Sequence, residues 1–192
     1  MASTTRQDMI IGAAGLLSRR GLQGTSFSEV LAATGAPRGS LYHHFPGGKD
    51  ELVAEATRFV GDRLLAALAQ FEPTSPGDVA EQFTAIWRRV LSGSDLAAGC
   101  SVAAVTVDAG EDQGDLLTVA GSVFVEWQGA VAGLFEQTGV PPDRAADLAL
   151  LLLLSVEGAL VVCRAERSLE PFDRVSALLV TVASDAGAAA PE

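Results

Sequence analysis

The residues best suited to chemistry are polar and close together: Arg38, Gly39, Ser40, Tyr42, His43 and His44. No pattern that marks a catalyst accompanies them. The chain has no G-x-S-x-G, no H-E-x-x-H, no Walker loop and no paired Asp-rich metal motif. Both of its histidines belong to this cluster, outside the larger C-terminal part where a pocket would form. Neighbouring residues on a helix point about 100° apart, so two adjacent imidazoles do not easily share an ion, and no cysteine is near in sequence. No enzyme, metal or cofactor is expected. A guanidinium, a hydroxyl, a phenol and two imidazoles, with no carboxylate among them, instead suit base edges and phosphates. Gly39 allows the backbone itself to approach DNA closely.

Something must hold this set on one surface. Leu41 and Phe45 are spaced i, i+4, so one face of a short helix from Arg38 to Phe45 turns inward and leaves the polar residues outside. Pro37 suits the first turn of that helix. Before it, Ser26 and Glu29 form an S-x-x-E capping box that opens a helix through Val30, Leu31 and Ala33. Gly35 stops that helix, because glycine takes the left-handed conformation without steric cost. Two helices joined by a short Gly-containing turn read as a helix-turn-helix. Pro46-Gly47-Gly48 then breaks the chain, and Asp50 and Glu51 fall in the first turn of the next helix, where they complement its dipole. Thr25, Ser26 and Lys49 sit at helix N-termini, where backbone N–H groups can also hold phosphate.

The whole string from Thr25 to Leu52, TSFSEVLAATGAPRGSLYHHFPGGKDEL, resembles the N-terminal domain of TetR-family transcriptional regulators. Its marks are G-x-x-G-T-S, the glycine turn, G-S-L-Y-H-H-F and a lysine opening the next helix. The P-G-G-K-D-E-L ending resembles the subgroup typified by LmrA and YxaF. Leu31 departs from the pattern, which has a small residue four positions before the turn glycine. The resemblance implies a homodimeric repressor on a palindromic double-stranded DNA operator, released by a small-molecule effector. It also implies that the last two long helices of each subunit make a four-helix dimer interface.

Charge is distributed accordingly. The net charge of the whole chain is −11, yet residues 1–52 carry five basic and four acidic groups, against eight and twenty in residues 53–192. A weakly basic head would face DNA and the acidic body would stay away from it. This acidity also supports a second reading, a helical small-molecule or protein-interaction module that does not bind DNA. The start, MASTTRQDMI, lacks the apolar core of a signal peptide, so a cytoplasmic protein is expected. Cys100 and Cys163 lie in apolar surroundings without C-x-x-C spacing and are expected as buried thiols.

The pattern predicts an all-α chain of about nine helices, a DNA-binding domain at 4–64 and a helical ligand-binding and dimerisation domain at 65–192. Helices are predicted at 6–20, 49–71, 78–92, 115–138 and 143–168, and from Pro171 towards a frayed tail, DAGAAAPE. Arg6, Arg19 and Arg20 are either phosphate contacts or solvated helix ends. The long helix from Lys49 would join two cores as one rod. Residues 100–109 are β-branched enough to suit helix or strand, and their helical context favours helix. The 143–168 helix is apolar on all sides, with Glu157 the only charge between Asp147 and Arg164. That mid-helix carboxylate argues against a membrane span and for burial on several sides. Leu150, Leu153, Leu154 and Val161, with Leu178 and Val182 on the last helix, are the candidate dimer residues. Phe59, Phe83, Trp87, Phe124 and Trp127 fall on different helices and could converge on a ligand, with Arg88, Cys100 and Glu157 as polar members. Ordinary core is the alternative for each aromatic, and pairing with Arg164 is the alternative for Glu157.

Overall fold

A computed structural model describes the backbone of residues 2–188 and the side chains of residues 5–186. Within them lie nine α-helices and no strand: α1 (Ala2–Arg20), α2 (Phe27–Thr34), α3 (Arg38–His44), α4 (Gly48–Leu68), α5 (Pro76–Gly93), α6 (Ser101–Asp108), α7 (Gly114–Gln137), α8 (Pro142–Glu166) and α9 (Glu170–Ala188). The fold is all-α, as the periodicity predicts. Residues 100–109 resolve to helix, with Cys100 as N-cap, its Sγ accepting the Ala103 N–H at 3.4 Å. The last helix continues to Ala188, beyond the start of the expected frayed tail, and residues 189–192 lie outside those described.

The chain divides into two compact units, Met1–Arg63 with Cys100–Phe124, and Leu64–Gly99 with Val125–Glu192. The division falls inside α4 and α7. In the first unit, α1 packs on α2 and α6. Met9, Ala13 and Leu17 on α1, Val30, Leu41, Phe45 and Val53 from the helices that follow, and Val102 and Val105 on α6 are buried. In the second unit α9 packs on α5 and α8. Its core includes Phe83, Trp127, Phe135, Leu152, Val156 and Phe172.

Helix starts show which local signals hold. Ser26 caps α2, its Oγ accepting the Glu29 N–H at 3.2 Å. The reciprocal half of the expected capping box is not made, because the Glu29 carboxylate pairs with Arg20 at 2.6 Å instead. A complete box forms at α5. There Ser75 caps the helix while Asp78 Oδ2 accepts from the backbone and hydroxyl of Thr74 and the N–H of Ser75. Pro37 is the N-cap of α3 rather than a first-turn residue, with ψ 138. Gly35, at φ 68, ends α2 and donates its N–H to the Leu31 carbonyl. Leu31 itself is half-buried, so its bulk is accommodated partly towards solvent.

By length and composition α7 and α8 could each cross a membrane, yet 44% of the most apolar stretch of α8 is buried inside the protein. The helix is two-sided. Leu148, Leu152, Val156 and Leu160 are buried, whereas Leu150, Leu154 and Val161 are exposed.

Candidate nucleic-acid interface

The candidate reading surface is built from α2, α3 and the three residues between them. Leu41 and Phe45 are 1% and 0% exposed, which fixes the roll of α3. Burying two such side chains contributes about 3–6 kcal/mol to holding a helix of only two turns, too short to persist alone. Arg6 lies over the Phe45 ring, 5.0 Å from its centroid, and pairs with Glu55 at 3.4 Å. The opposite face of α3 then points outward. Tyr42 is 70% exposed, and Arg38, Gly39 and His43 are exposed beside it. Ser40 and His44 are half-buried, and the His43 and His44 rings meet edge to face at 5.2 Å. Ser40 donates its hydroxyl to the Pro37 carbonyl at 2.6 Å, which leaves the oxygen lone pairs as acceptors.

Three of the expected contact residues are used by the scaffold. Thr25 is 1% exposed and its hydroxyl donates to the Gly21 carbonyl at 2.8 Å. Ser26 is exposed but serves as the α2 cap. Lys49 is half-buried and its Nζ donates to the Leu22 carbonyl at 2.8 Å. Arg20 and Arg6 are likewise drawn into ion pairs within the head. No ion pair among the described residues uses Arg38. The cation at the start of α3 is therefore in no ion pair with another described residue.

Two positioning residues escaped sequence reasoning. Phe27 packs edge-on against Tyr42, with ring centroids 5.6 Å apart, and so restrains an otherwise solvent-exposed phenol. Its signal was available: an aromatic directly after a helix cap. Asp108, at the end of α6, accepts the Leu22 N–H at 2.8 Å and crowds Gly21, whose φ of +71 already favours glycine. Leu22 is thus held at its N–H by Asp108 and at its carbonyl by Lys49. Nothing local announces that contact, because its partners are 86 residues apart.

The candidate ligand residues are divided between the two units. Phe59, Cys100 and Phe124 belong to the first unit, whereas Phe83, Trp87, Arg88, Trp127 and Glu157 belong to the second. Trp87 and Trp127 meet edge to face at 6.2 Å, and Phe83 is fully buried. Arg88 is at the surface, in a two-pronged pair with Asp173 at 2.7 and 3.2 Å. That guanidinium holds the Asp173 carboxyl below the ordinary carboxylate range. Glu157 is half-buried on α8 and Arg164 exposed. One surface cavity of about 500 Å³ in the first unit is lined by Asp50, Glu51, Arg58 and Asp115 among others, and none of the expected aromatics lines it. Neither cysteine is in a disulfide and both are buried; burial pushes the Cys163 thiol up.

Of the expected dimer residues, Leu150, Leu154, Val161, Leu178 and Val182 are exposed, at 38–69%. Leu153 is 5% exposed and faces the interior of its own chain, because it lies about 100° around α8 from Leu154. Leu151 and Val162 extend the exposed apolar surface of α8.

Comparison with known proteins agrees with this architecture. Residues 10–56 match the model of the bacterial regulatory proteins of the tetR family, and residues 76–178 match the C-terminal domain of LmrA/YxaF-like transcriptional regulators. An HTH-type transcriptional regulator of Mycobacterium tuberculosis is 38% identical over 175 residues, covering 88% of this chain and 89% of that one. The HTH-type transcriptional regulator LmrA of Bacillus subtilis is 23% identical, with 91% and 94% covered. The crystal structure of a TetR transcriptional regulator from Chloroflexus aurantiacus, 25% identical, superposes with a TM-score of 0.77 over 94% of each chain. The chain belongs to the TetR family of helix-turn-helix, DNA-binding transcriptional regulators, with a C-terminal domain of the LmrA/YxaF-like type.

Proposed function

We propose that the chain acts as a homodimeric repressor on a roughly palindromic operator, reading each half-site through Arg38, Gly39, Ser40, Tyr42, His43 and His44. The observation that carries this is the sidedness of α3: Leu41 and Phe45 buried, Tyr42 70% exposed, and Arg38 outside every ion pair of the described head. The reading domain is taken as 4–64, and 65–192 as the domain for effector and dimer. The exposed leucines and valines of α8 and α9 support self-association, since apolar area of this kind is stabilised by leaving water. A two-fold axis through them would present two heads, matching an operator with two half-sites. Release follows if a small aromatic or amphipathic molecule binds the DNA-incompetent state more tightly than the competent one.

Tyr42→Ala combined with His43→Ala tests the reading helix. Both side chains are exposed, so dimer and helix content should be unchanged. Salt-titrated binding to the DNA upstream of its own gene, with scrambled DNA as control, should weaken about 100-fold or more, at about 1–3 kcal/mol per lost contact. Unchanged affinity would remove α3 from the interface.

A further inference from the structure

Leu22 is fully buried, so water does not satisfy its peptide groups, and both are met by charged side chains from distant parts of the chain. Asp108, the last residue of α6, accepts the N–H at 2.8 Å, and Lys49, in the first turn of α4, donates to the carbonyl at 2.8 Å. The approach of Asp108 depends on Gly21. Its φ of +71 suits glycine, and a Cβ there would collide with the carboxylate. The Leu22 carbonyl also accepts the Thr25 N–H at 3.2 Å, and the Thr25 hydroxyl returns to the Gly21 carbonyl at 2.8 Å. The next residue, Ser26, caps α2, whose first residue, Phe27, packs against the Tyr42 ring. A line of contacts therefore runs from α6 through Leu22 and the α2 cap to the exposed ring of α3. Val102 and Val105, both fully buried, seat α6 in the same unit.

We propose that Asp108 is a positioning residue for operator reading: its side-chain oxygen holds Leu22, and through it α2 and Phe27, where they set the Tyr42 ring for DNA. This rests on the reading through α3 given above. Asp108 acts as an acceptor at one place and not as a charge. A buried N–H that loses its acceptor is costly, so without that oxygen the α1–α2 loop shifts until the group finds water or another partner. The charge works in the opposite sense. A carboxylate in the head opposes the approach to phosphate, so a purely electrostatic role would make its removal tighten DNA binding. α6 is then a working part of the reading unit, although it lies outside residues 4–64.

Three variants separate acceptor from charge. Asp108→Asn keeps an oxygen in place and loses the charge, Asp108→Glu keeps the charge and moves the oxygen by one methylene, and Asp108→Ala loses both. Tyr42 is the only tyrosine of the chain, so in protein labelled with carbon-13 tyrosine its ring resonances report α3 without DNA. In the free protein those resonances should shift in the Ala and Glu variants and stay in place in the Asn variant. Operator affinity, measured where circular dichroism shows every variant folded, should fall about tenfold or more for Ala and Glu and stay within about twofold of the parent for Asn. Val105→Ala, a packing loss on the same helix, should lower the melting midpoint and move neither readout. Tightening by Ala and Asn alike would make Asp108 a charge, and Tyr42 resonances unmoved in Ala and Glu would break the path from Leu22; either overturns the proposal. So does a Val105→Ala protein that matches Asp108→Ala in both readouts, since general loosening would then suffice. Should Asp108→Ala not fold, the Asn and Glu pair decides alone. The reading through α3 fails separately: Tyr42→Ala with His43→Ala would then bind the operator as the parent does, while the Tyr42 resonances of the Asp108 series still shift.

Discussion

The proposed reading helix α3 and the proposed dimer helices α8 and α9 each expose a face, and they do so by opposite means. On α3 the exposed residues are polar and the anchors are two apolar side chains. On α8, between residues 148 and 162, both the exposed and the buried residues are apolar, so the exposed face and the core are made of the same material. A polar surface on a short helix is identified by residue type, whereas an apolar surface on a long helix is identified only by which way it faces. The head therefore depends on a few anchors, and the body on a face that water disfavours.

The largest expected effect tests the anchors. Phe45→Ala removes a fully buried ring against which Arg6 is stacked, and should destabilise the first unit by about 3–5 kcal/mol. Thermal unfolding followed by circular dichroism should show a lowered midpoint, and operator binding should fall with it. Tyr42→Ala, on the exposed face of the same helix, should leave that midpoint within about 0.5 kcal/mol. Equal melting losses for the two would mean that α3 is not held by its inner face.

Next in size is the apolar face. Leu154→Asp and Leu178→Asp place carboxylates on the exposed strip of α8 and α9, 61% and 66% exposed in the single chain. Across a two-fold axis each change acts twice, so roughly 3 kcal/mol or more is lost, over 100-fold in the dimer Kd. Sedimentation equilibrium measures this directly. Leu153→Asp is the contrasting variant, since Leu153 faces the interior: it should unfold the second unit rather than yield a folded monomer. A folded dimer from the Leu154 and Leu178 variants would move the interface elsewhere.

The same contrast explains what could be read from the sequence. The helix-turn-helix was legible because Ser26, Gly35, Leu41 and Phe45 act within a few residues of themselves. The bonds of Thr25 and Lys49 to the Gly21 and Leu22 carbonyls were not legible, because those carbonyls lie in a loop whose path no local rule sets. Glu29 was assigned to the cap, but Arg20 at the end of α1 outcompeted the Ser26 N–H for its carboxylate. In the body, helix existence was legible from periodicity, but Leu153 and Leu154 look alike on a helix apolar all round. The aromatics were grouped by type, and the fold distributes them over two units. Asp78 was read as the first helical residue; its second role, closing the cap over Thr74 and Ser75, depends on side-chain geometry.

The smallest expected effect follows from Asp78 and Asp173, both in the second unit. Hydrogen bonds from the Thr74 hydroxyl and backbone, then from Ser75, lower the Asp78 pKa below its ordinary 3.8. The Arg88 guanidinium does the same for Asp173. A carboxyl whose pKa is lower in the folded than in the unfolded state contributes stability that is complete above the unfolded value and lost as pH falls through the folded one. The second unit should therefore hold its stability from neutral pH down to about the ordinary aspartate value and weaken below it. Both tryptophans lie in this unit, so their fluorescence during urea unfolding reports it without the head. Asp78→Asn with Asp173→Asn should lower stability at neutral pH and flatten the acid limb. Both groups are largely solvated, so the change should be small beside the loss from Phe45→Ala. An acid limb as steep in the double variant as in the parent would assign the acid sensitivity to other carboxylates and leave these two as surface contacts of no consequence.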